Sequence, residues 1–94
     1  MAAKQLVNLS KNLRELRLHL CQKSPSSQGA RDFVENHYVS VKSSNPNFPI
    51  LIRECSQVEP KIYARYGKGV EKSVTVSNKS ADEVISIIQQ LKSS

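Results

Sequence analysis

The sequence predicts an α/β domain, a mixed four-stranded sheet with both helices on one face, in the order β-α-β-β-β-α. Three observations lead there. Apolar residues alternate with polar ones over residues 15–21 and 61–66, the period of a strand with one buried face. They recur at three- and four-residue spacing over residues 30–41 and 84–91, the period of a helix with one buried stripe. The segment from Ser56 to Pro60 is too short to hold a further crossover helix.

Each element has its own signal. Leu16, Leu18 and Leu20 alternate with Glu15, Arg17, His19 and Cys21, which predicts a half-buried first strand. Ser24-Pro25-Ser26-Ser27 breaks the chain and supplies hydroxyls that can cap a helix. Ala30, Phe33, Val34, Tyr38 and Val41 then form a helical stripe that includes His37, and Asn45-Pro46-Asn47 stops it, because a residue before proline resists helical angles. Phe48 to Cys55 reads as a second, apolar strand, and strand–helix–strand spacing implies a parallel pair with a right-handed crossover. Lys61 to Tyr66 and Glu71 to Val76 flank Gly67-Lys68-Gly69, an antiparallel hairpin with a tight reversal. Ser80-Ala81-Asp82-Glu83 is a capping box, and Val84, Ile87, Ile88 and Leu91 are the stripe of the helix it starts.

This order is the thioredoxin-like plan without the crossover helix between its second and third strands. Strand parity then sorts the side chains. Leu16, Leu18, Leu20, Ile50, Ile52, Ile62, Ala64, Val74 and Val76 share the helix-covered face. The other face collects Arg17, His19, Cys21, Leu51, Arg53, Cys55, Lys61, Tyr63, Arg65, Ser73 and Thr75, with no helix left to cover it. The expected partner-binding residues are therefore Arg17, His19, Arg53, Lys61, Tyr63 and Arg65. Glu54, beside Arg53 but of opposite parity, needs a partner or the strand's solvent end.

With 94 residues the chain makes one domain, expected over residues 13–94 behind a basic extension, 1–12. The net charge is +6, and residues 1–31 carry +5 of it, with six bases against Glu15 alone. Such a bias points to an anionic partner or to organelle import. Met1 to Leu13 has no acid and carries Lys4 and Lys11 among Leu6, Val7 and Leu9, the pattern of an uncleaved mitochondrial signal or of a plain basic terminus. Ile50-Leu51-Ile52 is the longest apolar run, far short of a membrane span.

The residues able to do chemistry are few. Cys21-Gln22-Lys23-Ser24 is a C-x-x-S motif at a strand end, where thiol oxidoreductases hold the attacking sulfur, but it lacks the resolving cysteine. Parity sets Cys21 and Cys55 on one face of neighbouring strands, so they form either a disulfide or two reduced thiols. Pro60, just before the third strand, stands where a cis-proline would face the cysteine site; the alternative is an ordinary trans turn. His19 and His37 read as boundary side chains. Gly67-x-Gly69 has no third glycine and no following helix, so it is a turn rather than a nucleotide loop. No catalytic residue, metal or cofactor is expected.

The run Leu13-Arg14-Glu15-Leu16-Arg17-Leu18-His19-Leu20-Cys21-Gln22 resembles the alpha-subcomplex subunit 2 family of mitochondrial NADH:ubiquinone oxidoreductase, respiratory complex I. The likeness continues through Ser24-Pro25, Ser27-Gln28-Gly29-x-Arg31-Asp32-Phe33, Asn45-Pro46 and Pro49-Ile50-Leu51-Ile52-Arg53-Glu54-Cys55, and closes with Pro60, Ala64-Arg65-Tyr66 and Gly69-x-Glu71. It departs at Ile62-Tyr63, where Leu-Trp is usual, and at Glu59, where Gln is usual. The family fold is thioredoxin-like and is shared with some mitochondrial ribosomal proteins. The resemblance implies a non-catalytic accessory subunit of the matrix-facing peripheral arm at the inner membrane, with other complex I subunits as partners, no small-molecule substrate, and a cysteine pair that maps onto Cys21 and Cys55. Two other readings remain: a mitochondrial ribosomal protein whose basic face meets rRNA phosphate, and a monothiol oxidoreductase using Cys21.

Overall fold

The computed structural model describes residues 9–56 and 58–93. A 3₁₀ turn over Leu9–Lys11 leads into strand β1 (Leu13–Leu20); a second, Pro25–Ser27, leads into helix α1 (Gln28–Ser44). Strands β2 (Ile50–Glu54), β3 (Lys61–Tyr66) and β4 (Glu71–Thr75) and helix α2 (Ala81–Ser93) follow. The sheet order is β2-β1-β3-β4. β1 pairs parallel with β2, and the β1–β3 and β3–β4 pairs are antiparallel. This is the expected α/β thioredoxin-like architecture.

The parity argument holds on the covered face. Leu16, Leu18, Leu20, Ile62, Ala64 and Val76 are buried, and Ile50, Ile52 and Val74 pack at the margin of the same cluster. From above, α1 contributes Ala30, Phe33 and Val41 and α2 contributes Val84, Ile85, Ile88 and Leu91. Each fully buried Leu, Ile or Phe adds about 1.5–3 kcal/mol, so this one layer of contacts dominates the stability.

Polar devices close the ends. The capping box forms: Ser80 N–H donates to Glu83 Oε1 at 2.9 Å and Glu83 N–H to Ser80 Oγ at 3.2 Å. At the other end of α2, Tyr66 Oη donates to the Leu91 carbonyl at 2.6 Å and Asn12 Nδ2 to that of Lys92 at 2.8 Å, satisfying carbonyls that a helix end leaves open. Ser24 Oγ accepts from Ser26 N–H and caps the 3₁₀ turn, whereas Ser27, the N-cap of α1, makes no side-chain capping bond. Gly29 is buried where α1 meets the loop before α2; a Cβ there would sit 1.6 Å from the Lys79 carbonyl oxygen. Only glycine permits that approach.

Several expectations need correction. β2 is shorter than Phe48 to Cys55 because Phe48 N–H is taken by the Asn45 carbonyl in a turn. For all its apolar run it is an edge strand, with Leu51 42% exposed. Glu54 is accordingly exposed at the strand's end. Within the basic extension, Leu9 is fully buried, and its N–H donates to Asn45 Oδ1 at 3.0 Å. Asn45, itself buried, also donates through Nδ2 to the Val41 carbonyl at 2.9 Å. Residues 1–8, which carry most of the import-like segment, lie outside the described residues. In the β3–β4 turn the left-handed positions are Lys68 (φ 62°) and Gly69 (φ 77°), a lysine as well as the glycine.

Candidate docking surface

Register arranges the uncovered face in three rows across the strands. One row is Arg53–His19–Lys61–Thr75, the next is Leu51–Arg17–Tyr63–Ser73, and the third is Glu15–Arg65–Glu71. Arg17, His19, Arg53, Lys61, Tyr63 and Arg65 are thus brought together. Leu51, Arg53 and Arg65 are exposed, and Arg17, His19, Lys61 and Tyr63 half-exposed.

Their electrostatics are not uniform. Arg17 binds Glu15 through Nε at 3.1 Å and Glu71 through Nη2, and its guanidinium lies over the Tyr63 ring, 5.4 Å from the centroid. Both acids therefore turn to Arg17, and Arg65, between them in register, forms no ion pair among the described residues. Arg53 forms none either, and Lys61 has only Glu59, at 3.9 Å. His19 rests against Tyr63, with ring centroids 4.8 Å apart. Its pKa is held below the ordinary histidine value, first by burial and then by the Arg17 and Arg53 guanidiniums. The surface is an apolar centre, Leu51 and Tyr63, with unbalanced positive charge toward the Arg53–Lys61 row.

Glu15 and Glu71 were missed as members of this face. Parity could have found them, since Glu15 is two residues from Arg17 and Glu71 two from Ser73.

The cysteine site is different from the expectation in one respect. Cys21 is buried, not on the open face, because β1 ends at Leu20 and the chain dives toward the start of α1. Cys21 N–H donates to Ser27 Oγ at 3.0 Å, and Sγ accepts from Ser24 N–H at 3.4 Å. Arg31 Nη1 holds the Cys21 and Ser24 carbonyls at 2.8 and 2.9 Å. Cys55 is exposed, and both cysteines are free thiols in this structure. Cys55 N–H donates to the Leu20 carbonyl at 3.0 Å, a bond of the last β1–β2 pair, Leu20–Glu54, so each cysteine directly follows a member of that pair. The Glu59–Pro60 bond is trans, which corrects the cis expectation. Pro60 is buried and enters the sheet directly: its carbonyl accepts from Val76 N–H at 2.9 Å.

Among the described residues no three His, Cys, Asp or Glu side chains are placed to hold a metal ion, and no helix is long and apolar enough to cross a membrane.

Known proteins give this geometry a family. Residues 30–81 match the mitochondrial ribosomal protein L51 / S25 / CI-B8 domain. The chain is 54% identical to NADH dehydrogenase (ubiquinone) 1 alpha subcomplex subunit 2 of Mus musculus, over 98% of this chain and 93% of that protein. It is 45% identical to the protein of the same name from Arabidopsis thaliana, over 89% and 87%. The large ribosomal subunit protein mL43 of Mus musculus is 34% identical over 84% of this chain but only 43% of that protein. The chain belongs to the mitochondrial ribosomal protein L51 / S25 / CI-B8 domain family, together with the alpha subcomplex subunit 2 proteins of NADH dehydrogenase (ubiquinone).

Proposed function

We propose that this chain is a non-catalytic accessory subunit of mitochondrial NADH dehydrogenase, docked in the matrix-facing peripheral arm at the inner membrane. It supports the arm's assembly or stability by binding other subunits through the open sheet face. The observation that carries the reading is that face itself: Leu51 and Tyr63 ringed by Arg53, His19, Lys61 and Arg65, with no helix of the described chain over it. Near-full-length similarity to proteins named as subunits of that enzyme supports it.

A catalytic use of Cys21 is disfavoured by its burial, since a nucleophilic thiol needs access as well as a lowered pKa. The ribosomal alternative draws on the mL43 likeness, which leaves more than half of that protein unmatched. In the oxidised state, with oxidised glutathione as acceptor, Cys21 and Cys55 pair as a structural link; each directly follows a member of the last β1–β2 pair, Leu20–Glu54, which supports this.

Blue-native electrophoresis of mitochondrial membranes, with mass spectrometry of co-migrating chains, tests the proposal. The chain is expected with NADH dehydrogenase subunits. Migration with ribosomal subunits, and loss of it when RNA is digested, would select the alternative.

A further inference from the structure

We propose that the free edge of β2 accepts an extended segment of a partner protein as an added strand. That segment carries an apolar and a basic side chain two residues apart, both turned toward α1. The proposal rests on the docking reading only in supposing a protein partner; it names a different surface from the open face.

The edge is defined by hydrogen-bond phase. β2 ends the sheet order β2-β1-β3-β4. Leu16 N–H donates to the Pro49 carbonyl and Cys55 N–H to the Leu20 carbonyl, so odd-numbered residues of this strand turn their amides to β1. The N–H and C=O groups of Ile50, Ile52 and Glu54 therefore point outward, a template for pairing.

The two edges of the sheet are not alike. β4, at the far side, is Glu71-Lys72-Ser73-Val74-Thr75, and all but Val74 are exposed, a composition that discourages pairing. β2 begins Ile50-Leu51-Ile52, with Leu51 42% exposed and both isoleucines half-buried.

Beside this edge, on the α1 side, two recesses lie in succession. The first, about 20 Å³ and no roomier than a water, is lined by Ile50, Ile52 and Tyr38 together with the core residues Leu16, Leu18, Ile62 and Ile88. The second, of about 200 Å³, has Leu20 and Val34 as its floor and Arg31, Glu35 and Glu54 at its rim. Arg31 is committed to the Cys21 and Ser24 carbonyls and to Gln28 Oε1. Glu35 and Glu54 have no ion-pair partner among the described residues. The charge available to a newcomer is therefore negative. Same-face positions on a strand recur every second residue, about 6.6–6.8 Å apart, which spans from the Ile52 level to Glu54. An apolar side chain against the half-buried Ile50 and Ile52 and a lysine or arginine for the carboxylates fit at that spacing. A second copy of β2 would present Ile50, Ile52 and Glu54 on this side, with no cation, so charge complementarity selects a different chain.

The test uses the full chain and a synthetic peptide with the core Thr-Val-Thr-Lys-Thr, alongside one with glutamate in place of the lysine. Amide exchange is followed by NMR. The lysine peptide, at about 1 mM, is expected to slow exchange at Ile50, Ile52 and Glu54 at least about tenfold, and the glutamate peptide to bind at least about tenfold more weakly. Ile52→Pro, which removes an outward N–H that an edge strand can lose, should abolish binding; should that variant fail to fold, the wild-type exchange data decide alone. No slowing, equal effects of the two peptides, or slowing confined to β4 would overturn the proposal. So would slowing that rises with chain concentration without peptide, which makes a second copy the occupant. Failure of the open-face reading is separate: it shows as unchanged incorporation after charge reversal there and leaves the exchange result untouched.

Discussion

Arg17 on β1 reaches across β3 to Glu71 on β4, passing over the Tyr63 ring between them. One guanidinium thus ties Glu15 and Glu71, Lys61 turns to Glu59, and Arg53 and Arg65 are left without an ion pair among the described residues. An exposed pair of this kind is worth about 0–1 kcal/mol, because water screens it and two long side chains must be held. Glu71→Gln is therefore expected to shift the urea midpoint by less than the equivalent of about 1 kcal/mol. Over the same change, binding of the partner should become more salt-sensitive, since a carboxylate that offset the positive field is gone.

Asn45 supports the fold as a buried polar side chain. Its Oδ1 accepts from Leu9 and its Nδ2 donates to Val41, which joins the start of the packed chain to the end of α1. Asn45→Ala orphans both groups and should cost about 2–3 kcal/mol. Urea denaturation gives the value; a change within about 0.5 kcal/mol would show that the turn before β1 can detach without consequence.

Much of this was legible from residue spacing. The periods of Leu16-Leu18-Leu20 and of Ala30, Phe33 and Val41 gave element type and covered face, because each reports burial on one side of a regular repeat. The capping box at Ser80 is a local device and was read as one. The tether of Leu9 to Asn45 was not legible, since it joins residues 36 positions apart and leaves no pattern in either segment. Cys21 escaped for a related reason: parity applies only while a strand continues, and β1 stops at Leu20. The exposure of β2 was hidden because an apolar run reads alike at a sheet's centre and at its edge. At the site, the cations were visible from parity, whereas the choice of Arg17 rather than Arg65 as partner of both acids depends on side-chain geometry.

His19 gives the open face a pH signature. Its pKa is depressed by burial and by Arg17 and Arg53, so the unfolded chain takes up a proton before the folded chain does. The contribution is fully present above the ordinary histidine value of about 6.5 and is lost as pH falls through the lowered folded value. His19→Gln should flatten this part of the stability profile. Thermal melts of both proteins across that range check it, and parallel profiles would contradict it.

The two thiols should differ in reactivity. Cys55 is exposed, whereas Cys21 is 5% exposed and its sulfur accepts the Ser24 amide. Alkylation with iodoacetamide, followed by peptide mass spectrometry, should modify Cys55 at least about tenfold faster. Equal rates would mean that the loop at Cys21–Ser24 opens freely in solution.

The most direct measurement is incorporation of a chain carrying Arg53→Glu and Lys61→Glu, the two ends of the unbalanced cationic row around His19. Both side chains lie outside the core, so circular dichroism and the melting curve should match the parent chain. In mitochondria lacking the endogenous chain, the account predicts that this variant stays out of the assembled enzyme while the parent enters it. A folded variant that assembles as well as the parent would contradict the claim that the open sheet face is what docks.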